Sequence, residues 1–139
     1  MEITANALQT VALNQNVLFT DTVVCGNCSI VHRDGSGLVT LRGITNQCRA
    51  RFRVSFGANI ALPAGGTVES ISLAIAINGE PVAATTMIST PAAVEEFDNV
   101  FSAVFLDVPA GCCYQISVEN TSTQAIDVQN ANLIVERVA

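Results

Sequence analysis

The stretch Val24-Cys25-Gly26-Asn27-Cys28-Ser29-Ile30-Val31-His32 puts two cysteines at metal-ligand spacing, with the chain's only histidine four residues further on. Three chemistries use such residues: a zinc site, a dithiol redox centre, or a structural turn bearing thiols. Zinc needs about four ligands. The candidates are Cys25, Cys28, His32, Cys48, Cys112 and Cys113, and no second Cys-x-x-Cys or His pair stands at finger spacing. A redox Cys-x-x-Cys opens a helix within a βαβ unit, but here Thr-Val-Val precedes it and Ser-Ile-Val follows. The setting predicts a turn between two strands. Cys25, Cys28 and His32 are therefore weak metal candidates, and the expectation is no metal and no cofactor.

Strand parity sorts the remaining thiols. Side chains alternate across a strand, so Cys112 falls in phase with Tyr114, Ile116 and Val118 and is expected in the core. Cys113, in phase with Gln115 and Ser117, is expected outside. Cys48 shares a phase with Ala50, Phe52, Val54 and Phe56 and is likewise read as a core thiol. An odd count of five leaves at least one thiol unpaired within a chain. Cys25, Cys28 and Cys113 are read as candidates for a disulfide or a cross-link between subunits.

Other catalytic patterns fail on context. His32-Arg33-Asp34 has the letters of a kinase catalytic loop, yet the chain has no lysine and no glycine-rich phosphate loop. Gly35-Ser36-Gly37 lacks a strand-to-helix elbow. Glu95, Glu96, Asp98, Asp107 and Glu119 are scattered, with nothing to nominate a shared cleft. The reading is of a protein that is not an enzyme.

The elements that carry these residues are strands. In Ser70–Ile77 and Gln115–Glu119 the apolar residues recur at every second position, the period of a half-buried strand. Asp34-Gly35-Ser36-Gly37, Pro63-Ala64-Gly65-Gly66, Asn78-Gly79 and Pro109-Ala110-Gly111 are stops. The pattern predicts about ten strands, near 7–13, 16–24, 28–32, 38–42, 48–60, 70–78, 82–88, 98–108, 112–119 and 126–137. The expected architecture is all-β, an antiparallel jelly-roll β-sandwich formed by a single domain over residues 1–139.

Composition narrows the function. Half of the 139 residues are apolar and only 13% are charged, against roughly 25% in an average soluble domain. Mean hydropathy is +0.45. No apolar run reaches the about 18 residues of a membrane helix, so no membrane insertion is expected. Net charge is −6, the wrong sign for a nucleic-acid partner. The N-terminal stretch has neither a basic region nor a continuous apolar core of the kind a secretory signal carries. Exposure is expected through assembly or lysis rather than by general secretion.

Two strands show where the surplus apolar surface goes. In Asp98–Val108 one face carries Val100, Ser102, Val104, Leu106 and Val108, and the other carries Phe101, Ala103 and Phe105, with Phe97 just before. Both faces are apolar, so the second needs a burial of its own. A contact with another copy of the chain supplies one. In Cys48–Phe56, Arg49, Arg51 and Arg53 share the outward face. They are assigned to the same subunit interface, pairing with carboxylates across it. An anionic or acidic-glycan ligand is the alternative.

The C-terminal two-fifths also carries a family pattern. It runs Val108-Pro109-Ala110-Gly111, then the alternating Tyr114–Asn120, then Asn130-Ala131-Asn132-Leu133-Ile134-Val135-Glu136-Arg137-Val138, with Ile71–Gly79 earlier ending in Asn-Gly. This resembles the TNF/C1q-like jelly roll of small Firmicutes and phage-associated proteins and of the tips of collagen-like spore-surface proteins. The resemblance implies a compact homotrimer whose threefold interface includes the strand before Pro109-Ala110-Gly111, with Phe101 and Phe105 turned toward the neighbours. The expected function is a self-associating structural subunit that builds or decorates a phage virion or a bacterial spore or cell surface. A glycan- or receptor-binding module of a surface fibre is the alternative, and a zinc-binding protein the least favoured.

Overall fold

The computed structural model describes residues 1–139. It holds twelve strands and one short 3-10 turn at Ala83–Thr85. One sheet runs β10 (Asp98–Pro109), β6 (Arg49–Ala61), β12 (Ile126–Arg137), β1 (Glu2–Ala5), β3 (Asp21–Val24), with β2 (Gln9–Val11) also on β12. The other runs β4 (Ile30–His32), β5 (Val39–Arg42), β11 (Cys113–Asn120), β7 (Ile71–Ile77), β8 (Glu80–Pro81), with β9 (Met87–Ser89) also on β7. Every pairing is antiparallel. Few sequence neighbours pair, and the chain crosses repeatedly between sheets, so this is a jelly-roll-like β-sandwich.

The core lies between the two sheets and follows the period of two. Ala50, Phe52, Val54 and Phe56 of β6 are all fully buried, and Ile71, Leu73 and Ile75 of β7 meet them from the facing sheet. Phe19 enters from the segment before β3 and packs edge-on against Phe56, ring centroids 6.2 Å apart. Asn120, fully buried at the end of β11, donates to the carbonyls of Val11 and Gln124 and accepts from the Ser122 amide. Its amide ties the turn into β12 to β2.

The structure departs from the expected strands at the ends of the chain's segments. Glu2–Ala5 forms β1, outside the expected set, and only 9–11 of the expected 7–13 is strand. Of 16–24 only Asp21–Val24 is regular, although Val17 and Phe19 are fully buried as their alternation demands. The expected 82–88 divides into the 3-10 turn and β9. No helix is long and apolar enough to cross a membrane.

Candidate functional site

The outward face of the first sheet is built from β10, β6, β12 and β1, and the strand register sets its residues in rows. At one end Asn99, Asn59 and Asn130 form an amide ladder across three strands, with Asn99 Nδ2 donating to Asn59 Oδ1 at 3.1 Å and Asn59 Nδ2 to Asn130 Oδ1 at 3.3 Å. Asn130 stands at φ 55, where the register of β12 shifts against β6. The next row is Phe101, Gly57, Asn132 and Thr4. Then come Ala103, Ser55, Ile134 and Glu2, with the Glu2 carboxylate accepting from Asn132 Nδ2. Phe105, Arg53 and Glu136 form the fourth row, and Asp107 faces Arg51 in the last.

The centre of this face is apolar and open. Phe101 and Phe105 are each 63% exposed and Ile134 about two-fifths; Phe97, exposed to a similar degree, lies before β10, beyond the asparagine row. Ala103 between the two aromatics is exposed as well. The opposite side chains of β10, Val100, Leu106 and Val108, are buried. The strand thus serves the sandwich core with one face and leaves an aromatic stripe on the other. Its outer edge has no partner strand, because β10 ends the sheet.

The arginines of the stripe pair with carboxylates of their own chain. Arg51 grips Asp107 with both Nε to Oδ1 at 2.8 Å and Nη2 to Oδ2 at 3.1 Å. Arg49 Nε reaches the same carboxylate at 3.0 Å, and Arg53 Nη1 pairs with Glu136 Oε1 at 3.3 Å. The hydrogen bonds from Arg51 hold the Asp107 carboxyl below the usual carboxylate range, against a weaker opposing effect of desolvation and with further help from both guanidinium charges. The same hydrogen bond raises Arg51. This shift comes from a structural ion pair and not from a group poised for proton transfer. Gly57, Ile134, Asp107 and Glu136 escaped the sequence reading, since only the strand register places them beside Phe101 and the arginines.

Cys113 lies outside as parity predicted, whereas Cys48 and Cys112 do not lie in the core. All five cysteines are free and exposed, and no two approach bonding distance. The disulfide expectation for Cys25, Cys28 and Cys113 is therefore overturned, as is the assignment of Cys48 and Cys112 to the core. The reason is local. β6 begins at Arg49 and β11 at Cys113, so Cys48 and Cys112 lie in connections where strand alternation no longer applies. Gly111 at φ 77 turns the chain, and the Cys112 amide donates back to the Pro109 carbonyl at 3.0 Å. The five cysteines nevertheless share one end of the sandwich. Gly43 and Cys112, Ala110 and Cys48, Arg42 and Ser29 are joined by backbone hydrogen bonds, and Cys25-Gly26 packs beside Met1.

Cys25, Cys28 and His32 do not form a ligand set, and no three His, Cys, Asp or Glu side chains come together to hold a metal ion. The Cys-x-x-Cys is a turn held by Asn27, whose side-chain carbonyl accepts from the Ser29 amide at 2.8 Å. The His32 side chain is buried instead. Its Nε2 donates to the Ser36 carbonyl at 3.0 Å, and its buried Nδ1 makes no hydrogen bond, with Asp34 3.8 Å away. No catalytic constellation is assembled.

Comparison with solved structures places the fold. The chain superposes on the globular domain of zebrafish complement 1qA with a TM-score of 0.64 at 14% identity, covering 96% of this chain and 93% of that one. Eiger TNF from S. frugiperda gives 0.67 at 14% identity, covering 100% and 92%. Murine APRIL gives 0.59 at 9% identity, covering 95% and 96%. No protein-family model and no curated protein sequence matches the chain. The chain therefore has a TNF/C1q-like jelly-roll fold, shared at the level of structure.

Proposed function

We propose that this protein is a non-enzymatic structural subunit that assembles with copies of itself, as a homotrimer, through the outward face of the first sheet. The observation that carries this reading is the pair Phe101 and Phe105, both 63% exposed on one rigid strand. Exposing two aromatic rings side by side is costly in water, and burying each is worth about 1.5–3 kcal/mol. Aromatics at the centre of a patch, with polar rows beyond them, match the anatomy of a protein–protein contact. The sparse charge of the chain and its likeness in fold to TNF and complement 1qA support the same reading.

The assembled subunit would build or decorate a phage virion or a bacterial spore or cell surface. The glycan- or receptor-binding alternative loses its first suspects, because Arg49, Arg51 and Arg53 are already engaged by Asp107 and Glu136. Sedimentation velocity and native mass spectrometry at micromolar concentration test the assembly: a species of three chains is expected, and a strict monomer overturns it. For the setting, the chain is expected in purified particles or surface layers from its source by peptide mass spectrometry. Its recovery only among free proteins overturns the particle role.

A further inference from the structure

His32 Nδ1 is the one buried side-chain polar atom in the chain without a hydrogen-bond partner. Such a group is costly in a folded protein and calls for a physical account. The His32 ring is fully buried and packs edge-on against Phe19, with centroids 6.4 Å apart. Its Nε2 faces the Ser36 carbonyl, which also accepts from the Phe19 amide. A carbonyl only accepts, so the neutral ring keeps a bare lone pair on Nδ1.

What stands near that lone pair is a second acceptor, Asp34 Oδ1, at 3.8 Å. The Asp34 side chain is 61% exposed, and the Thr22 hydroxyl donates to the same oxygen at 2.7 Å. Thr22 belongs to β3 and His32 to β4, the end strands of the two sheets. Thr22, Asp34 and His32 therefore make a bridge between the sheet edges that lacks one hydrogen. Nδ1 is closed to solvent, which leaves a proton as the ligand small enough to complete it. A carboxylate shift of about 1 Å would then give a charge-assisted bond of ordinary length.

The other ionisable groups around the ring are placed elsewhere. Cys25 and Met1 share the wall of the adjoining cavity, and the Met1 ammonium donates to the Val135 carbonyl. Asp21 on β3 is exposed and accepts from the Thr20 hydroxyl. Arg33 is exposed. Arg42 sits at the far end of the β4–β5 pairing and reaches the Cys28 carbonyl. Only Asp34 stands within ion-pair distance of His32.

We infer that His32 and Asp34 form a proton-operated clasp between the two sheet edges. At neutral pH it is open. When Nδ1 takes a proton from solution, its new N–H donates to Asp34 Oδ1, and that oxygen keeps the Thr22 bond on its other lone pair. The closed clasp tightens the β3–β4 connection, which carries Cys25 and Cys28. Its contribution requires a charged ring and an ionised Asp34. It is lost as pH rises and the ring gives up its proton, and lost again in acid as Asp34 takes one.

The single histidine makes the test direct. Nitrogen-15 NMR of the folded native chain is expected to show a neutral ring with hydrogen on Nε2 at pH 8. At pH 5.5, between the usual carboxylate value of about 3.9 and imidazole value of about 6.5, both nitrogens should carry hydrogen. Urea unfolding of the native chain and of Asp34→Ala, a change at an exposed position, supplies the second readout. The ratio of their unfolding constants should be about fivefold or more larger at pH 5.5 than at pH 8, because loss of the Thr22 bond weighs equally at both. A ring still neutral at pH 5.5 in the folded chain, or a ratio that does not change with pH, overturns the clasp.

Discussion

The ring of Phe101 lies over Gly57 on the adjacent strand: a Cβ built on Gly57 would stand 3.6 Å from Phe101 Cδ2. β6 offers no side chain at that point, and the aromatic ring from β10 covers the gap. The ring is therefore supported from below and still 63% exposed above. A contact on one side restricts the ring, which lowers the cost of making it an anchor.

Phe101→Asp should dissociate the assembly without unfolding the chain. In a single copy the position is largely solvent-exposed, so the fold tolerates a carboxylate, while a contact would bury it without a partner. Loss of at least about 2 kcal/mol of association per contact is expected. Sedimentation velocity alongside thermal melting checks this; an unchanged oligomer places the interface elsewhere.

The Asp107–Arg51 fork predicts an acid limb of stability. Asp107 has a lower pKa folded than unfolded, so its contribution is fully present above the unfolded value of about 3.9 and is lost as pH falls through the lowered folded value. Urea midpoints of the native chain and of Asp107→Asn should differ at pH 7 and converge toward pH 2–3. A constant gap across that range would show that the pairing, not the charge, is what Asn lacks.

Gly43→Ala should be among the most disruptive single-methyl changes in the chain. The added Cβ would fall onto the carbonyl of Pro109, and that backbone is fixed by the Gly43–Cys112 and Gly111–Gly43 hydrogen bonds. Neither backbone can yield without breaking those bonds, so a loss of about 3 kcal/mol is expected. By contrast Gly65→Ala, which meets open space, should be near neutral. Chemical denaturation of both variants makes the comparison.

All five thiols should react under native conditions. Each is exposed and none is paired, so a chromogenic disulfide reagent should titrate close to the full number before and after unfolding. A titre that rises only in denaturant would put one or more of them back in the interior.

What the sequence revealed and what it hid divide on physical lines. Alternation from Ala50 to Phe56 was legible because one face meets the core along the whole stretch, and β10 was legible because apolar residues occupy both its faces. Cys48 and Cys112 were misplaced because parity was carried one residue past each strand's end into a turn. Val17 and Phe19 alternate as strand residues do, yet their amides bond to the carbonyls of Val118 and Ser36, isolated partners that make no ladder. Arg51 was visible, but its partner Asp107 is 56 residues away, and only the β6–β10 register joins them.

The gathering of every cysteine at one end of the sandwich gives the molecule a chemical polarity. Met1 and the residues near Ala139 lie at that same end, through Met1–Val135 and Arg51–Ala139 bonds. The opposite end, with the turns around Gly65 and Thr123, carries no sulfur nucleophile. A maleimide-coated or gold support would therefore capture the native protein with one orientation, presenting the cysteine-free tip to solution. Fluorophores coupled through sulfur would likewise mark a single pole, giving images of any larger particle a built-in arrow for which way each subunit stands.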